Sequence, residues 1–374
     1  MVENVTLPVM RPLLPRQQRV AKWLLEMDER RTYSNRGPLV RELEARYASV
    51  LKVDPEQVIA VANATLGLAG AVSATKCPTW AVPDYTFPAT ALAVLQSGRE
   101  ILLCDVEEAT GAMNPRWLPT GVGIMPVAPF GGGVELDEWS GHENVVLDAA
   151  ASLGTLPDLG ALPPGWAVVF SLHATKVLPA GEGGLVVLGS QDAARKLRAW
   201  INFGFSGARE SALVGTNAKM SEIHAAYGLA SLEDWPSEYQ DWLDAHSLMR
   251  RATSVLPGGP FGRPTSAANP YWLQRFESVS QASRVERVFS QRGIETRRWW
   301  GHCIECRHFN ILTSWGPAPS VRSWLTPLLG CRCFANSTQA KQSESRRRDV
   351  APSPTGDDSR AYDWESMCQF VRPR

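Results

Sequence analysis

Short apolar runs alternate with helix-like segments between residues 37 and 200, and this alternation restricts the possible fold more than any other feature. The intervening segments "ATLGLAGAVSAT" and "PATALAVLQSG" have apolar residues at helical spacing. The apolar runs are short, partly β-branched or aromatic, and bounded by Gly, Pro, Asn or Asp, as buried strands are. They are "QVIAVAN", "TWAVP", "EILLCDV", "GIMPVAPF", "NVVLDAA", "WAVVFSL" and "GGLVVLG". The pattern predicts an α/β protein with a large, mostly parallel sheet flanked by helices.

The length of the chain and changes in its sequence pattern predict more than one domain. A chain of 374 residues exceeds one ordinary core, so we expect a large domain over 1–240, including the N-terminal segment. The stretch "NPYWLQRFESVSQASRVERVFSQRGIETRRWW" predicts strand, helix and strand, the start of a smaller C-terminal α/β domain at 241–301. Residues 302–374 are atypical, because they hold five of the seven cysteines, lack clean periodicity and are polar enough in part for disorder.

Charge and composition exclude several classes of protein. Lys plus Arg and Asp plus Glu both number 38, so no overall field favours nucleic acid or an anionic membrane. The N-terminus lacks the pattern of a signal peptide, and no apolar run is long enough to span a bilayer. An odd number of cysteines argues against a secreted disulfide framework. We therefore expect a cytoplasmic protein with no nucleic-acid or membrane partner.

A carboxylate and an amine follow two of the predicted strands. Asp148 ends "NVVLDAA", and Lys176 lies just beyond "WAVVFSL". Ligands of open α/β sheets bind beyond the carboxyl ends of the strands, so both side chains are expected to face one pocket. A desolvated amine loses its proton more readily and becomes a nucleophile towards an aldehyde, while a carboxylate can keep a ring nitrogen protonated. Together they indicate pyridoxal 5′-phosphate (PLP) as cofactor.

Other residues suit the rest of that cofactor. Asn63 to Thr65 lie where a strand turns into a helix, and the free N–H groups of a helix N-terminus suit a phosphate. Ser171 is a further candidate phosphate ligand, and Phe87 offers a ring to cover the pyridine. Taken singly, each has a commoner interpretation: Lys176 as a solvated surface residue, Asp148 as a turn or helix cap, Phe87 as a core aromatic and Thr65 as an N-cap. Their order along the chain favours the cofactor site.

Ordered motifs between about residues 10 and 300 resemble those of the DegT/StrS-type sugar-nucleotide aminotransferases, which belong to the fold type I (aspartate aminotransferase-like) PLP enzymes. "YSNRGPLVRELEARYASVL" is similar to the family's Asn-x-Gly-Pro segment, "VANATLGL" to its phosphate turn, and "VPDYTFPATALAVLQSG" to its Tyr-Thr-Phe block. "LDAAASLG", "FSLHATKVLPAGEGG" and "VGTNAKMSEIHAAYGLASL" resemble its Asp-Ala-Ala, lysine and Asn-Met-Ser motifs, and "RGIETRRWW" the start of a small-domain strand.

The resemblance implies a role for each matching residue. Lys176 would bond covalently to the cofactor and later move the proton between the substrate carbon and C4′, Asp148 would bind the pyridinium nitrogen, and Phe87 would stack on the ring. The phosphate ligands would be Thr65, the backbone of Leu66, Ser171 and, from the second subunit of a homodimer, Asn217. It further implies amino-group transfer from glutamate to a nucleotide-linked keto sugar, for amino sugars of surface polysaccharides, such as lipopolysaccharide, or of secondary metabolites.

The chain also departs from the family pattern. Ala151 replaces the usual amide or imidazole near the cofactor's 3′-oxygen, Ala64 the glycine of the phosphate turn, and Lys219 an arginine. The family's further small-domain segments are absent after residue 301, and our hypothesis is a reading frame disturbed near residue 302. A less favoured interpretation is a zinc site in "HCIECRHF" and "CRCF" with His302 or His308, whose second pair is spaced Cys-x-Cys. We expect no metal.

Two alternatives to the aminotransferase stay open. A sugar dehydratase on the same fold is disfavoured, since those relatives have His where Lys176 stands. The other is a non-catalytic PLP-binding regulator or an inactive remnant of the same fold, whose incomplete small domain leaves the site open. The sequence does not specify the sugar, the carbon that is aminated or the nucleotide.

Overall fold

An eight-stranded sheet forms the centre of the protein. The computed structural model describes residues 7–133, 136–155, 158–262 and 268–300, and the backbone of two segments, 311–315 and 328–329. The strand order is β1-β7-β6-β5-β4-β2-β3-β10, and β7 alone runs antiparallel to its neighbours. The strands are β1 Val58–Val61, β2 Thr79–Pro83, β3 Glu100–Cys104, β4 Gly123–Ile124, β5 Val145–Asp148, β6 Trp166–Ser171, β7 Gly184–Leu188 and β10 Ile311–Trp315. The predicted large, mostly parallel sheet is confirmed.

Both faces of this sheet are buried, which explains why its strands have continuous apolar sequences. Along β1, Val58 and Ala60 belong to one hydrophobic core, while Ile59 and Val61 belong to the other. Helices cover the two faces. They are α1 Gln17–Arg30, α2 Pro38–Leu51, α3 Ala64–Ser73, α4 Pro88–Gln96, α5 Gln191–Trp200, α6 Glu222–Thr253 and α7 Val279–Gln291.

A second, three-stranded sheet lies in the C-terminal part of the described chain. It has the order β11-β9-β8, with β8 Gly259–Pro260, β9 Gln274–Arg275 and β11 Leu328–Leu329. Helix α7 supports a small separate core of Phe276, Ala282 and Val285. The strand and helix predicted from residue 269 onwards correspond to β9 and α7.

The predicted second strand of that stretch does not form within 293–300. Only Ile294 makes a bridge there, with Leu7, and the following residues to Trp300 have no regular structure. Arg297 and Arg298 are instead engaged by Glu295 and Glu286. The predicted domain boundary at residue 240 falls inside α6.

Most of the atypical tail, 302–374, lies outside the described residues, as do the alternative zinc ligands and the point of the hypothetical frame change. Its described segments are β10, which extends the large sheet beside β3, and β11, which pairs with β9. Across the described ranges, no helix combines the length and the apolar composition needed to cross a bilayer.

A buried glutamate fastens α2 to α6. Glu222, at the start of α6, is fully buried, and its carboxylate accepts hydrogen bonds from the N–H groups of Leu39 (2.7 Å) and Val40 (3.1 Å). These donors belong to the first turn of α2, where no intrahelical partner exists. Gly37 allows the approach, because a Cβ there would lie 2.6 Å from the Glu222 carboxyl carbon. Burial raises the pKa of Glu222, and the backbone hydrogen bonds oppose this rise.

We predict that Glu222→Ala lowers the free energy of unfolding by about 3 kcal/mol, because two buried N–H groups lose a charged acceptor. Glu238→Ala, the same change on the same helix, is the control. Burial and repulsion by Asp234 and Asp241 raise the pKa of Glu238, so its ionised carboxylate does not stabilise the fold, and its loss should not lower the free energy of unfolding. Urea unfolding measures both, and equal effects would contradict the role of Glu222.

Candidate functional site

A cavity of about 380 Å³ opens at the carboxyl ends of the central strands. Its volume falls within the usual range for small-molecule sites, roughly 300 to 1,000 Å³. The end of β5, the loop after β6, the N-terminus of α3 and the loop before α4 all reach it, as expected for an open α/β sheet. It is lined by Met10, Asn63, Ala64, Thr65, Leu68, Thr86, Phe87, Ala89, Val127, Ala128, Phe130, Asp148, Ala150, Ala151, Ser171, His173, Thr175, Lys176, Glu182, Tyr271, Arg297, Trp299 and Trp300.

Asp148 is a nearly fully buried carboxylate at the end of β5, with 5% of its surface exposed. Its Oδ2 accepts a hydrogen bond from the Thr90 hydroxyl at 2.8 Å, and its Oδ1 accepts one from the Ala150 N–H at 3.2 Å. Burial raises the pKa of Asp148, and these hydrogen bonds and the charge of Lys176 offset the rise only in part. A ligand that donates a hydrogen bond to this carboxylate would therefore stabilise its ionised form.

Lys176 enters the same cavity from the loop between β6 and β7. The loop is closed by a bridge between His173 and Gly181, and Gly181 has a φ of +86°, which favours glycine. Lys176 Nζ donates a hydrogen bond to the Tyr271 hydroxyl at 2.9 Å. The positive charge of Lys176 acts on Asp148, so the predicted amine and carboxylate do share one site.

The N-terminus of α3 forms another wall. Asn63 caps the helix by accepting a hydrogen bond from the Leu66 N–H at 2.9 Å. The N–H groups of Ala64 and Thr65, in the first turn, have no intrahelical partner. Gly184 lets β7 pass close by, because a Cβ there would lie 2.8 Å from the Ala64 nitrogen. The site thus offers backbone donors beside the Thr65 hydroxyl, whereas the Leu66 N–H is already used by the cap.

Five of the seven predicted site residues line the cavity: Thr65, Phe87, Asp148, Ser171 and Lys176. Phe87 is 57% exposed at the cavity, and the Ser171 hydroxyl accepts a hydrogen bond from the His173 N–H at 3.2 Å. The other two, Leu66 and Asn217, are not among its lining residues. Asn217 is exposed and pairs through its backbone with Asn202.

The sequence reasoning missed an aromatic wall of the cavity. Phe130 and Trp300 stack with ring centroids 4.4 Å apart, and Trp299 packs edge-on against Phe130 and Tyr271. Arg297 also lines the cavity. The adjacent tryptophans in "RRWW" were the available signal, but their position in the sequence did not indicate that they would meet Phe130.

Because its pKa is raised in the folded state, ionised Asp148 disfavours the cofactor-free fold. The protonated form of Asp148 is the one that favours folding. Its contribution to stability is complete below the pKa of an unfolded aspartate, about 3.9, and is lost as the pH rises through the folded-state pKa. We predict that Asp148→Asn raises the Tm of the cofactor-free protein by a few degrees at pH 8, because about 1 kcal/mol moves Tm by roughly 2–4 °C.

This gain should disappear near pH 3.5. Asp54→Asn is the control, since hydrogen bonds from Gln191 and the Glu56 N–H lower the pKa of Asp54, and its loss should not stabilise the protein. Thermal unfolding across this pH range measures both variants. An Asp148→Asn protein less stable than wild type at pH 8 would contradict the assignment.

Known proteins resemble both the sequence and this fold. A model of the DegT/DnrJ/EryC1/StrS aminotransferase family matches residues 16–309. The dTDP-4-amino-4,6-dideoxy-D-glucose transaminase of Shigella dysenteriae is 29% identical over 263 residues, which cover 67% of this chain and 71% of that enzyme. The GDP-perosamine synthase of Vibrio cholerae is 26% identical over 289 residues, or 71% of this chain and 76% of the synthase.

A solved structure is similar over nearly the whole chain. The crystal structure of DesI in the presence of its TDP-sugar product has 28% sequence identity and a TM-score of 0.76, and the match covers 92% of each chain. The predicted fold type I architecture is therefore confirmed. Because the family model also matches more than half of the chain, the protein belongs to the DegT/DnrJ/EryC1/StrS aminotransferase family.

Proposed function

We propose that this protein is a PLP-dependent aminotransferase that moves an amino group from glutamate to a keto sugar attached to a nucleotide. The observation that carries the proposal is the shared cavity of Asp148 and Lys176 beside the N-terminus of α3. The relatives named above act on or produce dTDP-, TDP- and GDP-linked sugars, which supports a nucleotide-linked substrate.

The residues present fit PLP, the cofactor of this family. The donor set has the three required parts: an amine on Lys176, a buried carboxylate on Asp148, and uncommitted N–H groups with the hydroxyls of Thr65 and Ser171 for the phosphate. Phe87 lies on the loop before α4, at the cavity, where a ring can cover the pyridine. The alanines at 64 and 151 leave the amine and the carboxylate in place.

When bound, the cofactor supplies an aldehyde and an electron-withdrawing ring that can hold the amino group between donor and acceptor. Asp148 would hold the ring nitrogen and keep its proton in place, and the low exposure of the carboxylate would strengthen this interaction. Lys176 Nζ accepts and returns the proton that moves at the reacting carbon, as a general base and acid. Thr90 and Ala150 hold the carboxylate in a fixed orientation throughout.

Glutamate as donor, a homodimer and a location in the cytoplasm are further parts of the proposal. Asn217 is exposed and does not line the cavity of its own chain, as expected for a residue that completes a second subunit's site. Surface-polysaccharide or secondary-metabolite biosynthesis is the proposed context. The division into a large domain at 1–240, the start of a small domain at 241–301 and an atypical tail at 302–374 also stays a proposal, with its first boundary inside α6.

The alternative, a non-catalytic or inactive member of the same family, predicts no amino-group transfer. Lys176 is present and reaches the cavity, which favours the enzyme. The two functions differ in the formation of product, so a direct assay separates them.

We predict that wild-type protein with PLP and glutamate aminates at least one member of a panel of 3-keto and 4-keto sugars linked to dTDP, UDP or GDP, detected by product mass. Lys176→Ala should lower the rate by about a thousandfold or more, because general acid–base catalysis by this amine is lost. Lys196→Ala is the control. The side chain of Lys196 is half exposed on α5, so this variant should retain wild-type rates. Absence of product across the panel would favour the non-catalytic alternative.

A further inference from the structure

Tyr271 contacts the reactive lysine directly, although it lies 95 residues further along the chain. Its hydroxyl oxygen is 2.9 Å from Lys176 Nζ, which donates to it, and the amine lies 5.2 Å from the centre of the tyrosine ring. Among the described residues, no other group accepts a hydrogen bond from this amine. The contact therefore fixes where the end of a flexible four-carbon side chain lies.

The backbone around Tyr271 is held rigidly. The side-chain oxygen of Asn269 accepts a hydrogen bond from the Tyr271 N–H at 2.9 Å, and Asn269 is 6% exposed. His246, on α6, lies with Nε2 2.7 Å from the Asn269 carbonyl oxygen. Gly131 makes room for this turn, because a Cβ there would lie 3.0 Å from the Asn269 side-chain oxygen. These contacts fix the backbone of Tyr271, so its hydroxyl can hold the flexible Lys176 side chain in one position.

The ring of Tyr271 is held as well. Phe130 and Trp299 pack against it edge-on, with centroids 6.0 and 5.1 Å away. These contacts involve the ring carbons and leave the hydroxyl directed at Lys176. Removing the hydroxyl therefore changes the hydrogen bond while it keeps the packing.

We propose that Tyr271 is a positioning residue, which holds the Lys176 amine whenever that amine is not bonded to the cofactor. Two events need a free, well-placed amine. The first is cofactor capture, in which the amine nitrogen bonds to the aldehyde carbon and the aldehyde oxygen leaves as water. The second is proton movement at the reacting carbon, where a misplaced base loses rate steeply.

This inference rests on the proposed function and adds a residue to it. It also gives the segment after α6 a part in the site, because Tyr271 reaches a lysine on the loop after β6. Neither the spacing nor the composition of "NPYWLQ" indicated such a contact.

The test variant is Tyr271→Phe, and Tyr47→Phe is its matched control. Tyr47 is fully buried, and its hydroxyl has no hydrogen-bond partner within the described ranges, so the control removes the same atom from a site without this contact. Both proteins are first prepared free of cofactor, and PLP uptake is followed by its change in absorbance. We expect uptake to slow by about tenfold in Tyr271→Phe, the equivalent of one ordinary hydrogen bond, and to stay at the wild-type rate in Tyr47→Phe.

The second measurement uses the loaded enzymes with glutamate and with glutamate deuterated at its α-carbon. We expect kcat to fall about tenfold in Tyr271→Phe with KM changed less than about twofold, and the isotope effect to increase as proton movement becomes more rate-limiting. The isotope effect is the ratio of the rates with unlabelled and deuterated glutamate. A merely structural role of Tyr271 would lower the amount of active protein and leave this ratio unchanged. The ratio is independent of the folded fraction, so it remains decisive if the variant is less stable.

The outcomes separate the two proposals. If wild-type protein takes up no PLP, the proposed function fails, and the role of Tyr271 fails with it. If wild-type protein takes up PLP and transaminates, while Tyr271→Phe matches it in uptake and isotope effect, only the role of Tyr271 is overturned.

Discussion

The burial of Asp148 at the carboxyl end of a central strand is the constraint on which the site depends. Burying an ionised carboxylate to 5% exposure costs free energy. Hydrogen bonds from Thr90 and Ala150 and the opposite charge of Lys176 offset part of this cost. Because β5 and β6 are adjacent and parallel, their carboxyl ends deliver Asp148 and the lysine loop to the same place. The N-terminus of α3 reaches this place because Gly184 lacks a side chain.

Two buried carboxylates show how similar electrostatics can serve different ends. Burial raises the pKa of both Glu222 and Asp148. The oxygens of Glu222 accept hydrogen bonds from the first turn of α2, outside the cavity, and so join two helices. Asp148 borders an open cavity, where a ligand can still reach it. In the proposed function, a cationic ring nitrogen beside Asp148 would relieve the instability that this carboxylate causes in the cofactor-free protein, and cofactor binding would then be coupled to folding stability.

The sequence was sufficient to predict the elements whose signals are local. Strand β2 has the bounds of its quoted segment, helices α3 and α4 begin at the first residue of theirs, and five of the seven proposed site residues meet in one cavity. The predicted strand at 123–130 is only two residues long, since Pro126 and Pro129 lack the N–H that a sheet ladder needs.

Contacts between distant parts of the chain could not be predicted. Thr90 and Tyr271 lie 58 and 95 residues from the groups they hold, Asp148 and Lys176, and neither pairing leaves a periodic pattern. The Leu66 N–H was expected to be free at the helix start, but the side chain of Asn63 accepts its hydrogen bond first. The same aptitude of asparagine for capping that predicted the helix N-terminus therefore removed one of its donors.

The central claim is that Lys176 carries the cofactor beside Asp148. Loading the protein with PLP, reducing it with borohydride and locating the cofactor on a peptide by mass spectrometry tests this claim most directly. We predict one stable adduct per chain, on the peptide that contains Lys176, and none at this position without added or co-purified cofactor. An adduct confined to another lysine, or no adduct on a folded and fully loaded protein, would contradict the account.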